Sequence, residues 1–294
     1  MLESDISNNQ ENLKVTESFK VPPLEITEQS ESYERSSREA LLLHLADTTL
    51  ILAQRNAEWC GHGPILEQDI AITNISLDLL GQSRNFYQYA AQLINASEKL
   101  KAAKAPSPSE RAGGEVNEDS LAYLRTEREF KNLLLVEQPN GDWGQTILRQ
   151  YLFSQFQYLL FEQLQNSKDE QLAAICTKAL KEIKYHIRWS SEWVIRLGDG
   201  TNESKQRMLK AIDELWRYSG EMFIPAEYEK EINLSLLKED WLQEVKLIFG
   251  EATLTIPEKV FMQTGGKTGV HTEHLGFILT DLQYLQRIYP NSEW

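Results

Sequence analysis

Cysteine is scarce: Cys60 and Cys176 are the two in 294 residues, too few for a disulfide framework and without the paired spacing of a zinc site. That scarcity suits a reducing, cytoplasmic compartment. Basic charge is short as well. Lys and Arg number 30 against 44 Asp and Glu, and the net charge of −14 leaves no basic excess for neutralising the phosphates of a nucleic acid. Such an acid excess serves solubility and would suit a basic partner. No long apolar run is present. The most apolar stretch, LLLHLADTTLILA, is interrupted by His44 and Asp47 and falls short of a membrane span. The opening MLESDISNNQENLKV has neither the apolar core nor the cleavage signature of a secretory signal. Alternating strand patterns and fixed-period repeats are missing too.

What is there is helical. Residues 1–33 are rich in Glu, Ser, Asn and Gln and read as a disordered acidic and polar tail, because they offer little burial against the entropy of ordering. From residue 34 to 294 the pattern is that of a single helical domain. Leu41, Leu42, Leu45, Thr49 and Leu52 form one stripe, and Ile65, Ile72, Ile75, Leu79 and Phe86 a second. WCGHGP at 59–64 separates them, with glycines to stop one helix and Pro64 for the first turn of the next. A polar Pro/Gly/Ser loop at 105–119 leads into a shorter helix over 120–133. VEQPNGDWG then opens the way to a long helix over 145–165. SKDE at 167–170 has the form of a capping box for a helix to about Leu197, and GDG at 198–200 ends it. Helices through Trp216 and over 238–250, an extended ATLTIP, a glycine-rich turn and a last helix to about Tyr289 complete an all-α chain built on two long hairpins.

Two hairpins invite a test against the carboxylate-bridged di-iron bundles, which take a carboxylate from each of two helices and a Glu-x-x-His pair from each of the other two. Equal distances from a turn centred near His62 set Asp78 opposite Ala46, with Asp47 one residue away. Asp47 and Asp78 are thus the candidate facing carboxylates. The Glu-x-x-His pairs become DLLG, with Gly81 in the histidine's place, and EIKY from Glu182, with Tyr185 there and His186 one position beyond. Opposite Glu182 the third helix offers Ser154 instead of an acid. Such a frame would hold iron weakly and select it poorly. The same positions read equally well as buried polar groups of a bundle, in which case Asp47, Asp78 and Glu182 need partners such as Arg149, Lys184 or Tyr185.

The runs LAQRNAEWCGHGPILEQDIAITNISLDLLGQSRNF, FKNLLLVEQPNGDW, KALKEIKYHIRW and TGGKTGVHTEHLGFILTDLQYLQRIYP resemble the C-type subunits of the bacterial phenylacetyl-CoA epoxidases, multicomponent ring 1,2-monooxygenases. The likeness spans about Ser37 to Trp294. It implies a ferritin-like four-helix bundle with additional helices, paired with a homologous catalytic subunit of A type and with further members of the complex. The A-type subunit would carry the di-iron centre. This chain would be its non-catalytic companion in aerobic phenylacetate breakdown, with no cofactor of its own. An active di-iron oxygenase using Asp47, Asp78, Glu182 and His186 is the alternative.

Two motifs stand outside that frame. GGKTG at 265–269 fails the phosphate-loop pattern, since Phe261 stands where its first glycine belongs, but Lys267 at a helix-entering turn is a candidate contact for a CoA phosphate at the interface between the two bundles. His271 and His274, in HTEH, lack the four-residue spacing of a zinc pair and read as capping or interface groups. Trp59, Trp189, Trp193 and Trp216 read as core, with partner anchoring as their other use.

Overall fold

The computed structural model describes residues 23–104, 115–289 and 292, and the chain divides into units Met1–Glu34 and Arg35–Trp294. Of the acidic and polar tail expected over 1–33, residues 1–22 lie outside the described ones. Helix α1 (Pro23–Ala57) begins within the rest of that segment. Pro23 suits the first turn of a helix, where its missing N–H has no bond to lose.

In the larger unit α1 and α2 (Leu66–Lys104) form the first long hairpin and α5 (Trp143–Leu164) and α6 (Glu170–Gly198) the second. Between them lie two short helices, α3 (Glu118–Tyr123) and α4 (Leu134–Glu137); α7 (Asn202–Ser219), α8 (Leu234–Glu251) and α9 (Glu273–Ile288) follow. Among the described residues no strand occurs. The two hairpins make a four-helix bundle, and α7 and α8 pack along α5. That layering explains α5's composition. Every residue from Thr146 to Gln157 is buried, and WGQTILRQYLFSQFQYLLFEQL accordingly holds Gln, Ser and Thr but few charges. Helix α6 is amphipathic by contrast, burying Leu172, Cys176, Ala179, Ile183, His186 and Ser190 at steps of three and four.

Three local expectations are corrected. The helix expected over 120–133 is broken into α3, a 3-10 turn at Glu127–Glu129 and extended chain before α4. The Lys131 N–H is drawn to the Asp47 carboxylate at 2.8 Å instead of a helical carbonyl. Asp169, not Ser167, caps α6, accepting from the Leu172 N–H at 3.1 Å. Helix α2 starts at Leu66, so Pro64 lies ahead of it and Ile65 is exposed.

Buried charge fastens the irregular segments to the bundle. Asp47, wholly buried on α1, accepts from Tyr87 Oη at 2.5 Å and from Arg125 Nη1 at 3.1 Å, with Arg125 Nη2 closer still on its other oxygen. Burial would weaken the Arg125 charge, but Asp47 outweighs it and holds that guanidinium firmly protonated; Tyr87, chiefly through burial, is held neutral. The turn at 265–269 presses on the same region. A Cβ at Gly266 would stand 2.2 Å from the Asn132 carbonyl oxygen, and one at Gly269, whose φ is +81°, 2.2 Å from that of Arg128. The glycines of GGKTG therefore serve close backbone approach. Removing the carboxylate by Asp47→Ala, which strands Arg125, is expected to cost about 3–5 kcal/mol in urea unfolding followed by circular dichroism. Leu77→Ala, on an exposed position, should change it by less than about 0.5 kcal/mol.

Candidate functional site

The centre of the bundle is where a di-iron frame would lie, and its register is set by hydroxyl-to-carbonyl bonds between α1 and α2. Ser83 Oγ donates to the Ala46 carbonyl at 2.9 Å and Ser76 Oγ to that of Ala53 at 2.6 Å. Both pairs place Asp78 opposite Ile51, more than a turn away from Ala46. The facing pair Asp47 and Asp78 is therefore not formed. Asp47 is taken by Tyr87 and Arg125, whereas Asp78, its side chain 36% exposed, turns to α6.

There it meets His186. The His186 Nε2 lies 3.0 Å from Asp78 Oδ2, and one turn along both helices Gln82 Nε2 donates to Glu182 Oε2 at 2.9 Å. Gln82 Oε1 in turn accepts from Gln157 Nε2 on α5 at 2.9 Å. Lower on α5, Asn56 Nδ2 donates to Gln150 Oε1 at 2.7 Å and Gln150 Nε2 to Ser154 Oγ at 2.8 Å. Polar side chains of all four bundle helices thus join in two short chains, rich in neutral amides. The residual cavity beside Gln157, lined by His44, Thr48, Thr49 and Phe156, has about 10 Å³, room for one water at most.

The spacing between ligand positions also differs from the expected triplets. Gly81 and Tyr185, which stand in the histidines' places at i+3, are both exposed, and Gln82 and His186 at i+4 face inward. Arg149 does not pair with a bundle acid either. It donates to the Gln138 carbonyl at 2.6 Å, to that of Pro139, and to Asn140 Oδ1. Nor does Lys184 or Tyr185 partner Glu182, which Gln82 meets. The signal that would have found Gln82 and Gln157 is the presence of amides on otherwise apolar helix faces, since a buried amide needs a partner.

Tested as donors, these groups do not fit a pair of irons. Asp47, Asp78, Glu182 and His186 do not converge, and among the described residues no three His, Cys, Asp or Glu side chains lie together as ligands would. His186 Nδ1 and Gln157 Oε1 are buried without hydrogen-bond partners, but a lone imidazole nitrogen and an amide oxygen make no di-iron cage.

The second candidate group, near the interface motifs, is turned inward. Lys267 is 4% exposed and its ammonium donates to Glu229 at 2.8 and 3.0 Å and to the carbonyls of Met222 and Ile224 at 3.2 and 3.0 Å. A lysine so engaged has no hydrogen free for a CoA phosphate, which corrects that expectation. His271 is likewise enclosed, with Nδ1 2.9 Å from Glu137 Oε2 and Nε2 3.0 Å from the Phe130 carbonyl. His274, half-buried on α9, is the member of that trio not consumed by these bonds.

With this geometry in place, the protein's class is clear: a helical bundle of ferritin-like type whose centre is filled by hydrogen-bonded side chains. The chain belongs to the phenylacetic acid catabolic protein family that groups PaaA and PaaC, whose model matches residues 17–294. It is similar to the C-type member of the 1,2-phenylacetyl-CoA epoxidase of Escherichia coli (strain K12), at 47% identity over 262 residues, covering 87% of this chain and 98% of that protein. No helix of the described residues is long and apolar enough to cross a membrane.

The two ring nitrogens of His271 each face an oxygen acceptor, an arrangement that favours the imidazolium. Burial works against that charge, but the hydrogen bond and charge of Glu137, with the Phe130 carbonyl, prevail and raise its pKa. A raised folded pKa gives stability that is full below the unfolded value near 6.5 and lost as pH rises through the folded one. His44 runs the other way: burial lowers its pKa, so its contribution is present above about 6.5 and fades on acidification. Replacing His271 by Gln should therefore remove the fall in urea midpoint on the alkaline side of pH 6.5 and spare the acid limb, as a pH series on both proteins would read.

Proposed function

We propose that this chain is the non-catalytic companion in a phenylacetyl-CoA epoxidase, supporting a homologous di-iron subunit of A type in aerobic phenylacetate catabolism in the cytoplasm. The observation that carries the reading is the polar ladder of Asp78–His186 and Gln157–Gln82–Glu182. Its members bond to one another across three helices, at the level where a catalytic bundle of this kind would present open carboxylates and histidines. The 47% identity to a C-type epoxidase component agrees with it. In this role the chain needs no cofactor. Its contribution is a rigid helical surface on which the catalytic bundle, and through it the rest of the complex, is held in working shape.

The alternative of an active oxygenase built on Asp47, Asp78, Glu182 and His186 asks for a large rearrangement. Asp47 would have to leave Arg125, Tyr87 and the Lys131 N–H, and a buried carboxylate gives up such partners only at a cost of several kcal/mol. The two readings part on metal and on partnership. The chain expressed with iron and purified alone should carry far below the roughly two irons per chain of a loaded di-iron bundle, as metal analysis would measure. Expressed with the A-type subunit, it should co-purify at a fixed ratio, and epoxidation by the reconstituted complex should drop when it is omitted. Near-stoichiometric iron in this chain would overturn the companion reading, as would failure to co-purify with the A-type subunit.

A further inference from the structure

Helix α2 has an outer face that nothing in the described chain covers. Leu66, Ile70, Leu77 and Leu80 are 72%, 52%, 60% and 46% exposed, and at 100° per residue they fall on one stripe, opposite the buried Ile72, Ile75, Leu79 and Phe86. Gly81 borders the stripe, with nothing within 4 Å of where its Cβ would be. A glycine in mid-helix is destabilising relative to alanine, and among the described residues no contact requires it here. It leaves a notch through which a second backbone can come close. The Asp78–His186 rung sets Tyr185, 42% exposed, at the height of that notch.

Resting on the companion reading, we propose that the outer face of α2, from Leu66 to Gly81 with Tyr185 beside it, is the surface on which the catalytic bundle docks. The size is right. The four aliphatic side chains and Tyr185 together expose on the order of 500 Å² of mostly apolar surface, at the upper end for a monomer's largest patch and well over half of the ~800 Å² that one side of a stable interface contributes. The occupant is an apolar helical face of the homologous A-type bundle and not a second copy of this chain. Two copies at a net charge of −14 each repel on approach. The two positions where an iron-binding frame would expect histidines, Gly81 and Tyr185, thereby acquire a use as surface residues at the contact.

The test is co-purification of the full chain with the tagged A-type subunit from the same epoxidase, comparing wild type with Leu77→Asp and with Gly81→Leu. Both sites are exposed, so circular dichroism and melting of the isolated variants should match wild type. Retention on the tagged partner should fall at least tenfold for Leu77→Asp and measurably for Gly81→Leu, while Lys210→Glu on α7 leaves it unchanged. Wild type and both variants binding equally would overturn this surface and leave the companion reading standing. Wild type failing to bind would overturn both. If the chain alone runs as a dimer that Leu77→Asp dissociates, with the tagged partner still bound, the face joins two copies and the proposal falls.

Discussion

A carboxylate taken out of water must be met by donors, and in this molecule that requirement organises the irregular segments that join the helices. Asp47, Glu137, Glu221 and Glu229 are all buried, and each collects donors from segments outside the long helices. Asp47 gathers Arg125 and the Lys131 N–H. Glu137 takes Asn132, His271 and both the N–H and the hydroxyl of Thr272. Glu221 accepts from the Leu134 and Gly265 N–H groups, and Glu229 from Lys267. Segments 125–137, 221–229 and 265–272 are far apart in sequence and have little periodicity, yet they are stitched into one body over the bundle. Hydrophobic burial alone, being non-directional, would not fix their path. Unpaired, any of these groups would destabilise the fold by more than a typical surface contact contributes.

The regular part is readable from the sequence because helix periodicity and stop signals are local. The hairpin at 58–65, the glycine stop near 198, the central helix over 143–164 and the aliphatic stripe of α1 all depend on neighbours within a few residues. The register is not readable in that way. Centring the first turn near His62 sets Asp78 about a turn too high against α1, because the link between Ala57 and Leu66 is longer toward α2 than its glycines suggest. The helix expected over 120–133 stops after α3 for a different reason. Its backbone N–H at Lys131 is claimed by a side chain 84 residues away, and no local propensity encodes that. Lys267 and His271 look like surface binding groups in a glycine-rich motif until the partners at Glu229 and Glu137, themselves distant in sequence, are known.

The interior of the bundle is organised by directional polar bonds. A pair of irons would tie four helices together through charged ligands; here Gln82 and Gln157 join α2, α5 and α6 through neutral bonds, with Glu182 as the charged end. Amides donate and accept at once, so a short chain of them can span three helices with few counter-ions. The aromatic end of the bundle uses the same device. Gln68 Oε1 accepts from the indoles of both Trp189 and Trp193, and Trp143 is met edge-on by Trp59, Trp189 and Trp193. Each of these amides sits on α2 or α5, the two helices that otherwise present mainly apolar faces to the core.

The ladder has a consequence on the other side of α2. A helix packed only by aliphatic side chains can rotate by some tens of degrees with little loss, because leucine and isoleucine contacts are non-directional. Gln68, Asp78 and Gln82, lying along one edge of α2 and bonded to three turns of α6, remove that freedom. The azimuth of the helix is then set, and with it the direction in which Leu66, Ile70, Leu77 and Leu80 point. An inner face of directional polar bonds and an outer face of exposed aliphatics are two sides of one rigid rod. Directional polar bonding inside and a well-aimed surface outside are therefore not separate features of the sequence. The same polar positions hold the helix in the orientation a partner would read.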